Sequence, residues 1–139
     1  MSADARSAGR VPAGTRVRNR LIALAMAEVV AAATWLIGNA AGAALTVNQN
    51  GVTEITLAGA LVTTLFAGLV GWGLLALLER FTPRARTAWT YVAGAVLLLS
   101  LFPTILADAT AGTRLTLTVM HLMVGAVLIP SFRRSAREA

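Results

Sequence analysis

The chain has 139 residues, 57% of them hydrophobic and 13% charged, with a formal net charge of +6 and a mean hydropathy of +0.72. That apolar content exceeds the roughly 45–50% usual in soluble domains, which excludes a small water-soluble core, and the length suits one domain. Cysteine is absent, so disulfide staples, thiolate metal sites and thiol nucleophiles are excluded as well.

In chain order, residues 1–20 are small, polar and basic, with Gly, Ser and Pro scattered and no apolar period, and read as a disordered cytoplasmic tail. Four apolar runs follow, predicting membrane spans at about 21–43, 57–79, 87–107 and 113–132. Each approaches the ~20 residues that a helix needs to cross ~30 Å of hydrocarbon. The fourth is short, since its core covers only 115–129, and it needs Thr113 and Phe132 at its ends to cross. A basic tail at 133–139 closes the chain. The predicted fold is therefore all-α: an antiparallel bundle of four transmembrane helices over residues 21–132. A rival reading makes Leu21 to Ile37 a secretory signal with Ala41-Gly42-Ala43 as the cleavage site, but Glu28 interrupts its apolar core.

Between the first two spans, Leu45 to Gln49 and Val52 to Thr56 flank Asn50-Gly51, the strongest short hairpin signal because both turn positions take positive φ. This predicts a short extracytoplasmic β-hairpin that puts Leu45, Val47 and Val52 on one face. A two-stranded ribbon is marginal in water, so it is expected to lie against the outer end of the bundle. In the middle loop, Pro83 ends the second helix. The last loop, Asp108 to Arg114, is tight enough to make the third and fourth spans antiparallel neighbours.

The twelve basic residues are all arginine and lie beside the apolar runs. Arg6, Arg10, Arg16, Arg18 and Arg20 precede the first span, Arg80, Arg84 and Arg86 occupy the middle loop, and Arg133, Arg134 and Arg137 follow the fourth, leaving only Arg114 for the other side. Because short arginine-rich segments stay in the cytoplasm, both termini and the middle loop are expected inside, in the plasma membrane. Placement beside lipid, and not on an aromatic-bearing surface, selects anionic headgroups as partners over nucleic acid.

Small residues at helical spacing mark the faces on which spans can approach. Ala23, Ala27 and Ala31 align on the first span, Ala60, Thr64, Gly68 and Gly71 on the second, and Ala93, Ser100, Thr104 and Ala107 on the third. They read first as seams of one bundle and second as a face for a homo-oligomer or a membrane partner. Pro103 removes a backbone donor from the third span and frees the Leu99 carbonyl.

Ionisable groups at membrane depth are Glu28 and His121. Glu28 lies eight residues from Arg20 and His121 eleven from Phe132, about 12 and 16 Å along their helices, so they sit at similar heights and pair if the first and fourth spans touch. Charges at that depth are costly and normally have a partner, and imidazole titrates near neutral pH. The pair is thus a candidate proton-responsive or substrate-binding site, against the plainer reading of mutually satisfied structural groups. Asp108 and Arg114 are placed to form an ion pair across the outer loop. One His and one Glu supply too few ligands for a zinc or haem site, so no metal or cofactor is expected. No base stands at helical spacing from Ser100, so no catalytic residue is assigned.

The run Ala67-Gly68-Leu69-Val70-Gly71-Trp72-Gly73-Leu74-Leu75-Ala76-Leu77-Leu78-Glu79-Arg80, with the basic tail, the Asn-Gly ribbon and Met120-His121-Leu122 before Ile129-Pro130, resembles a family of small actinobacterial four-helix membrane proteins known only as a domain of unknown function. The resemblance covers nearly all of the chain after about Arg16. It implies an actinobacterial plasma-membrane protein and carries no activity. Three classes of function remain open: a non-catalytic accessory or structural bundle, a small-solute or proton-coupled transporter using Glu28 and His121, and a lipid-modifying membrane enzyme, for which the reactive groups are scarce.

Overall fold

A computed structural model describes residues 11–137, and the N-terminal ten residues of the predicted tail lie outside it. Its elements are α1 (Ala13–Ala40), β1 (Thr46–Asn48), β2 (Val52–Glu54), α2 (Leu57–Phe81), α3 (Ala85–Leu106) and α4 (Ala111–Ser135). All four helices are long and apolar enough to cross a membrane, and the two short strands form the only sheet among the described residues. The four-helix membrane fold is thus as expected.

Helix ends depart from the predicted spans where tertiary contacts intervene. α1 starts at Ala13, so residues 13–20 are helical and not disordered. Its 28 residues run about 42 Å, longer than the ~30 Å of hydrocarbon, so the first turns extend past the apolar layer. Arg20 is buried in that extension and bonded to two other helices, which holds the segment in register with the bundle. α4 runs through Pro130 to Ser135 and takes in part of the basic tail, because Phe132 is fully buried and Ser135 is bonded to Arg20.

The Ala41-Gly42-Ala43 segment is the C-cap of α1. Gly42 has φ of 84°, Gly42 N donates to Asn39 O at 3.0 Å and Ala43 N to Gly38 O at 3.0 Å, the paired bonds of a Schellman motif. Thr56 caps α2 by accepting from Gly59 N, and Thr110 caps α4 by accepting from Thr113 N.

α4 packs against α1 and α3, and α1 packs also against α2. Small residues set the approach: an added methyl at Gly38 would strike Thr116, one at Gly68 would strike Leu24, and one at Gly125 would strike Leu97. Two cores result. Toward the arginine-bearing end, Ala23, Leu24, Ala27, Leu75, Trp89, Leu128 and Phe132 join all four helices, with the Trp89 and Phe132 rings 5.6 Å apart. Toward the hairpin end, Ala31, Ala60 and Met120 draw on α1, α2 and α4 alone.

The hairpin register differs by one residue from the expected one. Asn48 pairs with Val52, Val47 with Thr53 and Thr46 with Glu54, so the loop has three residues, 49–51, with Asn50 and Gly51 at φ of 60° and 137°. A shift of one residue turns side chains to the other face. Val52 therefore leaves the face of Val47 and is 78% exposed. The cause is Asn48, whose Oδ1 accepts from Gly51 N while its own N–H and Nδ2 donate to Asp108, which fixes it as the last paired residue of β1.

Candidate functional site

At the hairpin end, a polar set docks the ribbon onto the bundle, as the marginal stability of an isolated ribbon requires. Asn48 N donates to Asp108 O at 2.9 Å and Asn48 Nδ2 to Asp108 Oδ2 at 3.1 Å. Trp35 Nε1 donates to Ile55 O at 2.8 Å. The fully buried Thr113 shares a 2.9 Å hydroxyl bond with Thr110 and accepts from Leu45 N at 3.1 Å. Leu45 adopts φ of 48°, a strained conformation for a leucine, held by this bond and by Ile55 N donating to Leu45 O at 2.7 Å. The Asp108–Arg114 ion pair is not formed. Asn48 has taken the Asp108 carboxylate, and Arg114 Nε donates to the Ala109 carbonyl at 3.1 Å. An open groove of about 430 Å³ between Gly38, Ala43, Gly112 and Thr116 lies at this end and is lined by small residues without a titratable group.

At the opposite end, Arg20, Glu79 and Ser135 tie three helices together. Arg20 Nη2 donates to Glu79 Oε1 at 2.6 Å and to Ser135 O at 3.2 Å, and Arg20 Nε donates to Ser135 Oγ at 3.0 Å. Arg137 N adds a 2.8 Å bond to the same Glu79 oxygen. The two charged side chains are 6% and 11% exposed, so the pair is buried and its partners must satisfy it. The signal for this knot was Glu79, the one acidic residue beside the arginines of 11–137, at the same helix-end level as Arg20.

In the middle of the bundle, Glu28 and His121 are not joined. α1 and α4 do touch along their length, but the two residues occupy different seams. Glu28 lies on the α1 side shared with Leu24, which meets Gly68 of α2, and with Trp35, whose indole N–H reaches the Ile55 carbonyl. It is half-buried and makes no hydrogen bond or ion pair among the described residues. His121 lies on α4 near Thr118 and Gly125, which meet Thr104 and Leu97 of α3. Its Nδ1 is 2.7 Å from the Leu117 carbonyl of its own helix. The expected equal height does not hold either: Arg20 opposite Ser135 and Gly38 opposite Thr116 set the register of α1 against α4, which offsets Glu28 from His121 by about 8 Å along the axis. Other hydroxyls at depth are likewise bonded to their own helix: Thr34 to Val30 O, Ser100 to Leu97 O and Thr104 to Leu101 O. Among the described residues no group of three or more His, Cys, Asp or Glu has the placement to hold a metal ion.

Four apolar helices, capped at one end by a docked ribbon and knotted at the other by a buried ion pair, define a multi-pass membrane protein of the small helical-bundle class. Residues 11–138 match the model described as Family of unknown function (DUF6069), and the chain belongs to that family. No curated protein and no solved structure matches it.

Proposed function

We propose that this protein is a non-catalytic accessory or structural bundle of an actinobacterial plasma membrane, with both termini and the 82–84 turn on the cytoplasmic side. The observation that carries the reading is the Arg20–Glu79–Ser135 knot: a charged pair withdrawn from solvent is committed to holding helices together. Orientation is supported by the arginine distribution, since Arg18, Arg80, Arg84, Arg133, Arg134 and Arg137 are exposed around that knot and, among the described residues, Arg114 alone is at the other end. These side chains suit anionic headgroups of the inner leaflet, beside which the exposed Phe81 ring sits next to Arg80. The apolar surface left on α2 and α3 faces lipid, a second copy or a membrane partner protein. Native mass spectrometry of gently extracted protein tests the reading: retained anionic lipid, a second copy or a partner subunit is expected, and a bare monomer would count against it. In the same framework Glu28→Gln and His121→Ala alter stability and leave solute flux unchanged.

A second reading, transport of a small solute or coupling to protons, is favoured by one observation, the half-buried Glu28 carboxyl within a span without a bonded partner among the described residues. It requires pH-dependent flux in proteoliposomes that is lost in Glu28→Gln or His121→Ala.

A further inference from the structure

Among the buried polar side chains, Arg20, Thr104, Thr113, Thr116 and Ser135 are each hydrogen-bonded, and Thr64 of α2 is not. Thr64 is 8% exposed, its hydroxyl is not turned to a carbonyl of its own helix as those of Thr34 and Thr104 are, and its oxygen is not sealed from the surface. The Glu28 carboxyl of α1 is likewise unbonded among the described residues. Two contacts fix how α1 lies along the antiparallel α2: Leu24 against Gly68, and the Trp35 indole N–H on the Ile55 carbonyl just before α2. Glu28 stands four residues beyond Leu24 and Thr64 four before Gly68, about 6 Å from that contact in the same direction, so the two are level across the α1–α2 seam. At 100° per residue Thr64 shares the buried stripe of Ala60 and Gly68, and Glu28 falls between the buried Leu24 and the exposed Leu21 and Ala25. The carboxyl therefore stands at the rim where the seam meets lipid, with Thr64 on the buried side of it.

A charged group at membrane depth normally has a partner, and the nearest arginine along α1, Arg20, is eight residues away and committed to Glu79 and Ser135. The complement of an unpaired carboxylate is a cation. A metal ion fits poorly, because hard cations take six or more oxygens and these two side chains supply three. An ammonium group carries three N–H donors, which match the two carboxylate oxygens and Thr64 Oγ1, while the Thr64 proton can turn to a carbonyl of its own helix. No cavity is needed, since the carboxyl is reached from the lipid side past Leu21 and Ala25, and a ligand arriving by that route is apolar in its remainder.

We propose that the rim of the α1–α2 seam binds a lipophilic primary amine as its ammonium ion, which donates N–H to the Glu28 carboxylate and to the Thr64 hydroxyl oxygen. This names a ligand class for the carboxyl behind the second reading above and rests on that reading's observation, not on transport: absence of flux in proteoliposomes removes transport and leaves the site. The full-length protein is labelled with ¹³Cδ-glutamate in phosphatidylcholine nanodiscs, and the Glu28 resonance is assigned by its loss in Glu28→Gln. The probes are 4-pentylbenzylamine and 4-pentylbenzyl alcohol, which matches it in shape without the charge, with affinities measured by calorimetry against empty nanodiscs. At neutral pH the amine is expected to shift the Glu28 resonance saturably and to bind about tenfold or more tighter than the alcohol, the value of a hydrogen bond to a charged group. In Glu28→Gln the two probes bind within about twofold of each other, and Thr64→Val, which keeps the shape, weakens the amine about three- to tenfold. A Glu28 resonance that the amine leaves in place, or moves no more than the alcohol does, overturns the proposal on the unmutated protein. So does an amine preference that survives in Glu28→Gln, or undiminished amine affinity in Thr64→Val.

Discussion

Removing the Glu79 carboxylate tests the physical claim on which the bundle rests. In Glu79→Ala, the Arg20 guanidinium keeps its two bonds to Ser135 but loses its counter-charge in a site where the pair is 6% and 11% exposed. Stripping one partner from a buried pair costs about 3–5 kcal/mol, mostly the desolvation of the charge left behind. The released Arg137 N–H and its segment reach water, so the lower end, about 3 kcal/mol, is expected. Glu79→Gln also leaves the Arg20 charge without its counter-charge but keeps an acceptor for both donors, so it is expected to cost less than Glu79→Ala, about 1–2 kcal/mol. Arg20→Leu with Glu79→Leu removes both charges, so it is less destabilised than the sum of the single changes, and the double-mutant cycle isolates the coupling. The assay is reversible unfolding in mixed micelles followed by far-UV circular dichroism. A loss below about 1 kcal/mol in Glu79→Ala, or additive single and double changes, refutes the claim that this pair fastens α1, α2 and α4.

Other outcomes follow from the close contacts and from topology. At Gly38 an added methyl would lie 2.5 Å from the Thr116 Cγ2 and Oγ1 atoms, and Thr116 is pinned by its 2.8 Å bond to Gly112 O, so Gly38→Ala is expected to cost about 1–3 kcal/mol by the same unfolding assay. Gly73 has open space around it, so Gly73→Ala is expected to be stabilising by about 0.5–1 kcal/mol, and equal effects at the two sites would contradict the packing described. Trp35→Phe keeps an aromatic side chain, smaller than the indole, and removes the donor to Ile55 O, with about 1 kcal/mol lost and faster amide exchange expected across the hairpin; unchanged exchange would show that the bond does not dock the ribbon. Because the chain has no native cysteine, Gln49→Cys and Arg84→Cys can be labelled singly with a membrane-impermeant maleimide, and labelling from opposite faces is expected. Labelling from the same face would break the four-span topology.

The legible part of this protein was the part governed by the solvent. Apolar run length, arginine placement and the Asn50-Gly51 turn are one-dimensional signals, because a bilayer demands satisfied backbone over a fixed thickness and a tight turn demands positive φ. The small-residue faces were legible for the same reason: Ala27, Ala31, Ala60 and Gly68 are buried at the spacing that the helix period dictates. Reading failed where two segments compete for one group. Asp108 stands near Arg114 in the chain, yet Asn48 arrives from sixty residues away and takes its carboxylate. Glu28 and His121 were placed at one height by counting from the helix ends, yet the register set by Arg20 at Ser135 and Gly38 at Thr116 slides them apart, and the two side chains enter different seams.

Length, hydropathy and charge were sufficient to establish four membrane-spanning helices, a ribbon between the first two and an arginine-rich end, since each depends on what a segment meets in lipid or water and not on its neighbours. Helix ends, strand register, the burial of Arg20 and the partner of every ionisable group were decided by tertiary structure. Those features follow from rotations and translations of one packed element against another, differences of a few ångströms that no local pattern encodes.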